Sequence, residues 1–443
     1  MNLIKTIKSS KIISNMSWII LGRVVNMVLS FIVGVLSTRY LGPSNYGIIG
    51  YAGAYATFFA AICSLGIDSV IVKELIDNSK DEGKVLGTSI TLKLISSITS
   101  FVIINCIVFV VDGNDTLSRT IVFIYNLSII FQVLDIFKFW FRSKLKSKFP
   151  EIASIIAYVF AAAYKIYLLA TLKDVKWFAF VTSLDYILVA IVLYIMYKKS
   201  GGSKLVFSWE YGKKLLSKSY HFIITGMMIA VFNSTDKFMI KQMVDSSEVA
   251  YYTTAITVAT LFTFILSAVI ESFAPVIMSA YKDDKKGYER KNSQLYAIVF
   301  YVSLFFSLII TIFANLIVSM LYGDNYIMSA NPLRVLVWYT AFSYLGVARD
   351  IWVVCEQKQK YLKLIYFLSA LTNIILNYFF IPILGASGAA IASLVTQVGT
   401  VIIFPAFVKE LRPNIRLMID GIMLKNISLK NNYKGGIIVE KKK

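Results

Sequence analysis

The sequence is poor in charge, in histidine and in cysteine. Charged residues make up 16% of its 443 positions, where a soluble chain carries roughly 25%. With 57% hydrophobic residues and a mean hydropathy of +0.69, this argues against a soluble enzyme, a disordered tail protein and a nucleic-acid binder. The solvent for most of the chain is lipid. One histidine, His221, and three cysteines, Cys63, Cys106 and Cys355, leave almost no material for a zinc site. All three cysteines lie in or at the ends of apolar runs, so buried free thiols are expected rather than a disulfide framework. No nucleophile–base constellation and no metal-ligand spacing occurs, so neither an enzyme nor a resident cofactor is expected. The basic start leads into an apolar stretch too long for the core of a cleavable signal. It lacks a small-residue cleavage site and reads as the first membrane helix.

Long apolar runs are what the chain has in quantity. A span takes about 20 mainly apolar residues to cross roughly 30 Å of hydrocarbon. Twelve runs qualify: 12–39, 45–66, 83–111, 117–142, 150–171, 176–198, 216–243, 247–273, 290–320, 329–354, 360–382 and 384–408. They are helices, because backbone groups in lipid must bond internally and the alternation of a membrane barrel is absent. Turn residues separate them, as at Gly42-Pro43, Asp112-Gly113 and Gly323-Asp324. The net charge of +20 is concentrated at the N-terminus, in the loops after the fourth, sixth, eighth and tenth spans, and in the tail. The alternate loops are short and poor in Lys and Arg. The positive-inside rule then places both termini in the cytoplasm. The charge excess is thereby a matter of topology and attraction to anionic lipid, not of nucleic acid.

The polar interruption 199–217, with Gly201-Gly202 and then Trp209, Leu215 and Leu216 among lysines, suggests a linker with an interfacial helix. It divides the chain into a six-helix lobe at 1–198, a second at 218–410 and a basic tail at 411–443. The halves repeat weakly. Moving Leu41 onto Val244 brings Ala52 onto Ala255 and Asp68 onto Glu271, and Ser183 resembles Ser393 at matching spans. Parallel repeats related by an axis along the membrane normal carry their substrate path between the halves. The fold class expected is an all-α polytopic membrane protein, about twelve transmembrane helices in two pseudo-symmetric lobes.

Charges at bilayer depth cost about 2.5 kcal/mol or more and face a cavity or a partner. Arg23 shares a helix face with Asn26, Ser30, Gly34 and Ser37, a polar stripe on an apolar helix. Lys93, Lys165 and Lys237 are the other basic candidates for a cationic, substrate-binding cavity, suited to phosphate or pyrophosphate. Asp135 with Lys138, Asp185, Asp236, and Arg349 with Asp350 are candidates for gating or ion coupling. Their plain structural alternatives are ion pairs: Asp135 with Lys138, and Asp185 with Lys165 across helices. Gly385 to Ala390 is a small-residue run explained by close helix packing.

The stretches Asn15–Arg23 (NMSWIILGR) and Thr38–Gly47 (TRYLGPSNYG) resemble the polysaccharide repeat-unit flippases. These are the O-antigen, capsule and exopolysaccharide members of the multidrug/oligosaccharidyl-lipid/polysaccharide exporter superfamily. Gly385–Ser393 (GASGAAIAS) is similar to that family's last span, and the resemblance covers about residues 10–410. It implies a bacterial inner-membrane protein that flips an undecaprenyl-pyrophosphate-linked oligosaccharide by alternating access. It also implies a cationic central cavity to which Arg23 contributes, and an H⁺ or Na⁺ gradient as driver. The implied partners are the lipid-linked oligosaccharide, membrane lipids and a polysaccharide polymerase. Two other readings compete: a multidrug/cation antiporter of the same fold, and a non-transporting scaffold of a polysaccharide-synthesis complex.

Overall fold

A computed structural model describes the backbone of residues 2–425 and the side chains of residues 27–425, those of Thr225, Lys282 and Asp283 excepted. Every regular element among the described residues is helical. Among the described residues, nine helical runs are long and apolar enough to cross a membrane, and two of them hold a pair of spans each. The first, α1 (Asn2–Cys63), breaks at Gly42 (φ 70°, ψ 169°). Its 62 residues would be about 93 Å long if straight, three bilayer cores, so the chain must reverse there. Only glycine takes that φ cheaply. Pro43 then opens the next helix, where a missing N–H costs nothing. The second, α14 (Gln359–Val398), breaks in the same way at Gly385 (φ 55°). With α13 (Ala330–Cys355) as a further span, the twelve expected helices are present.

The third span is α3 (Glu82–Val111). The fourth is segmented into α4 (Thr116–Asn126), α5 (Ser128–Phe131), a 3₁₀ turn and α6 (Ile136–Ser143). α7 (Lys148–Ala170) and α8 (Val175–Lys199) complete the first set. α9 (Trp209–Met243) is the seventh span. The short surface helix expected in 199–217 is instead the first turns of this same helix. The eighth span is split into α10 (Ser246–Ala259) and α11 (Thr263–Asp283), and α12 (Lys285–Tyr322) is the ninth. After α14 come a π-helical turn (Gly399–Ile403), the short α15 (Phe404–Phe407) and α16 (Arg412–Ile422). The start of the expected tail, then, is a helix. Residues 426–443 lie outside the described residues.

One end of the bundle carries the long basic loops, the start of α9 and α16. We call it the basic end. The opposite, short-loop end carries Gly42, 112–115, 244–245, 323–329 and Gly385. Buried apolar side chains form two clusters. One lies at the basic end of the first six spans, around Ile67, Leu86, Trp140 and Tyr197, and takes in Leu215 from the start of α9. The other fills the second six spans and continues into the short-loop half of the first, through Tyr51, Ile121 and Phe178. The two sets of spans therefore share a core at the short-loop end. Cys63 is buried as expected, but Cys106 is exposed, on a face of α3 where Val102, Ile103 and Val110 are also exposed.

Candidate functional site: a buried polar cluster beside a closed end

Asp236 is buried on α9 and accepts three hydrogen bonds. Asn377 Nδ2 donates to Oδ1 at 2.7 Å, Ser393 Oγ donates to Oδ2 at 2.6 Å, and the Tyr252 hydroxyl on α10 donates to Oδ2 as well. Asn373, one turn before Asn377, accepts from Asn377 Nδ2 at 3.1 Å and donates to Ser393 Oγ at 3.4 Å. The fold places these groups simply. Asn373 and Asn377 share a face of α14 at i, i+4. The chain reverses at Gly385, and Ser393 returns to the depth of Asn377, each eight residues, or about 12 Å, from the turn. Asp236 lies seven residues before the end of α9, at a similar depth. Asn377 Oδ1 is buried and has no hydrogen-bond partner among the described residues. The cluster thus offers carboxylate, amide and hydroxyl oxygens, the donor chemistry of a hard cation or a proton. Lys237 is adjacent and partly buried, and makes no hydrogen bond or ion pair among the described residues.

One and a half turns beyond Asp236 on the same helix, α9 meets the first six spans at the short-loop end. Lys241 Nζ pairs with Asp115 at 3.1 Å. Gln242 Nε2 donates to Tyr51 Oη and to Asp112 Oδ1, both at 3.0 Å. Tyr326 donates its hydroxyl to the Thr38 carbonyl at 2.8 Å. Burial pushes the Asp112 carboxyl up, against the bonds from Gln242 and Tyr51. At Asp115 burial acts in the same direction but is outweighed by Ser118 and Lys241, and the carboxyl is held below its usual range. α1 also packs closely on α10. A Cβ on Gly47 would stand 1.6 Å from the Ser246 carbonyl oxygen, and one on Gly50 2.9 Å from Thr253 Oγ1.

The remaining charges occupy separate places. Lys165 and Asp185 line one cavity of about 120 Å³ with Leu29, Ser30 and Val33 of α1. They do not close a direct ion pair, and Asp185 Oδ1 has no hydrogen-bond partner among the described residues. Lys93 pairs with Asp68 at 2.7 Å. That pair lines a cavity of about 280 Å³ with Gln132 and Asp135. Asp135 pairs with Lys138 at 2.8 Å. Arg349 is buried at the basic end, donating from Nη1 to the Thr400 carbonyl at 2.9 Å and from Nη2 to Asp350 at 3.4 Å. It thereby satisfies a carbonyl in the π-helical turn. The Arg23 side chain lies outside the described residues.

Sequence reasoning missed Asn373 and Asn377, although two amides at i, i+4 in an apolar span are a readable signal. It also missed Glu248, which accepts from the Ala386 amide at 2.6 Å and so caps the helix that follows Gly385. The small-residue run there serves a turn as well as close packing. At the basic end Glu74 takes Lys218 and Tyr211 of α9 as partners. Burial there is outweighed by these two, which hold the Glu74 carboxyl below its usual range. The connecting strand of chain is pinned to α3 by Val206 N to Gly83 O, and by Ser208 N to Thr88 Oγ1, each at 3.0 Å.

Residues 12–281 match the family described as Polysaccharide biosynthesis protein, and residues 222–379 match the MatE family. No curated protein matches the chain. Among solved structures it is similar to the lipid II flippase MurJ in an inward closed conformation. The identity is 14% and the TM-score 0.73, over 93% of this chain and 91% of that one. It is also similar to multidrug resistance MATE family transporters of the MOP superfamily. An inward-facing one has 14% identity and a TM-score of 0.63, over 90% and 93% of the two chains. An outward-facing one has 13% and 0.60, over 92% and 96%. At such identities the likeness is one of fold. The first family match takes in well over half of the chain, so this multi-pass membrane protein belongs to the polysaccharide biosynthesis protein family.

Proposed function

We propose that the protein translocates a pyrophosphate-linked oligosaccharide lipid across the bacterial inner membrane by alternating access, and that cation or proton binding at Asp236 drives the cycle. Both termini and the basic end face the cytoplasm in this reading, following the lysine and arginine bias of the loops. One observation carries it: α9 holds the polar cluster and the closure of the short-loop end on the same two turns, through Asp236 and through Lys241 and Gln242. An ion that binds the cluster in one conformation better than in the other shifts the closure equilibrium by that difference. Lys93 is neutralised by Asp68, so the charge offered to a pyrophosphate falls to Arg23, Lys165 and Lys237. Arg and Lys supply charge-assisted donors to such a group.

Reconstituted vesicles holding a lipid-linked oligosaccharide test this under imposed H⁺ or Na⁺ gradients. The wild type flips faster under one of the gradients. Asp236→Asn flips at a gradient-independent basal rate. Lys237→Ala weakens flipping under either condition. Equal gradient response in wild type and Asp236→Asn would falsify the coupling assignment. Unchanged leaflet distribution in the presence of wild type would remove the flippase reading and leave the scaffold.

A further inference from the structure

At the basic end of the second set of spans lies a cavity of about 1120 Å³, far larger than the two beside the intramembrane charges. Its walls come from three separated stretches: the start of α12, the turn after α13, and the segment from Lys409 into α16. Seven Lys or Arg side chains and four carboxylates line it, leaving it net positive. Lys285, Lys286 and Arg290 come from α12, Lys358 from the turn, and Arg412 and Arg416 from α16. The carboxylates do not cancel them locally. Among the described residues, the one ion pair within the lining is Arg416 with Asp420, at 3.9 Å.

Basic loops orient a membrane protein wherever they lie, so charge alone does not make a site. The distinguishing feature is that α16 is fixed in place. Its inner face buries Asn414, Met418 and Gly421 against α12. Asn414 Nδ2 donates to Tyr296 Oη at 2.5 Å, Ser293 Oγ to the Leu417 carbonyl at 3.0 Å, and Tyr301 Oη to the Ile422 carbonyl at 2.8 Å. A Cβ on Gly421 would stand 2.4 Å from the Ser293 carbonyl oxygen, so the helix is seated as closely as backbone allows. Phe407, Ile419, Met423 and Leu424 are exposed around it. A short helix with an apolar outer edge and a basic polar face lies in the headgroup layer. The cavity therefore opens where lipid headgroups are, with Trp352 and Tyr288 in its lining.

The geometry points to a binding site for a phosphate-bearing anionic headgroup, supplied by the surrounding bilayer, between α12, the end of α13 and α16. It is independent of the coupling reading, and its test uses no transport measurement. The full-length protein in neutral detergent is titrated with short-chain phosphatidylglycerol and followed by native mass spectrometry. Phosphatidylcholine and inorganic phosphate serve as separate arms. Phosphatidylglycerol binds, and phosphatidylcholine does not. Each neutralised basic side chain lowers the affinity about fivefold, so R412Q/R416Q lowers it about 25-fold. K285Q/K286Q, on a different element, produces a comparable loss even if the first pair loosens α16. K198Q/K199Q removes the same charge at the same end but outside the cavity, and leaves binding unchanged. An equal loss in K198Q/K199Q would reduce the site to general surface charge. Phosphate binding as tight as phosphatidylglycerol would make the ligand a soluble anion, and equal binding of phosphatidylcholine would remove the role of charge. Any of the three overturns the proposal.

Discussion

Replacing Gly47 by alanine places a methyl carbon 1.6 Å from the carbonyl oxygen of Ser246. Ordinary contact begins near 3.4 Å, so α1 and α10 must part by about 1.8 Å at this point. The obstacle is backbone, which no rotamer change relieves. Overpacking of this kind costs about 1–3 kcal/mol. Here it is charged only to the state in which the short-loop end is closed. The closed state should therefore lose about 5–150-fold in population relative to the open one. Thr253 lies on α10 beside Gly50 in the same seam. With Cys63, Cys106 and Cys355 replaced, T253C supplies a thiol whose reaction with a membrane-impermeant maleimide reports opening. Gly47→Ala should raise that labelling rate within the stated range and slow flipping. Gly34→Ala, whose Cβ meets nothing within 4 Å, is the matched control and should behave as wild type. Wild-type labelling and flipping in Gly47→Ala, at normal membrane abundance, would refute closure through this contact.

Other expectations follow from the same geometry. Asp112 has its carboxyl raised in the closed state, so that state holds the extra proton between the solvated and the raised value. Closure should thus weaken as pH rises through that window, and the dependence should vanish in Asp112→Asn. Asp115, lowered in the closed state mainly by Ser118 and Lys241 against burial, acts oppositely: its contribution is lost only at pH below the ordinary carboxylate range. Spin-label distances across the short-loop end, measured against pH, check both. Arg349→Gln should cost about 1.5–3 kcal/mol through its bond to the Thr400 carbonyl, seen as a lower melting temperature. Its gradient response should stay intact, and a lost response would restore a coupling role to Arg349. Asn377→Ala should reduce cation dependence while leaving expression unchanged, read in the same vesicles as Asp236→Asn.

The spans were legible because a bilayer imposes length and apolarity locally, and Gly42-Pro43 announced the first reversal. The break at Thr260–Phe262 was not legible, since no Gly or Pro marks it. Nor was the start of α9, where lysines suggested a surface helix and tertiary packing on Glu74 made one continuous rod. Charge reading gave the Asp135–Lys138 pair, which needs only one helix. It could not find Asn377 and Ser393 around Asp236, 141 and 157 residues away, because nothing local fixes that meeting.

The π-helical turn at Gly399–Ile403 is one residue of surplus in the twelfth helix. Such a surplus shifts every side chain beyond it by about 100° relative to an uninterrupted helix. Arg349 caps the carbonyl bond that the surplus disturbs. The extra residue and the arginine are thus tied together by one hydrogen bond. A relative lacking the extra residue should also lack the arginine, and its last turn before α15 should present a different face to the lipid.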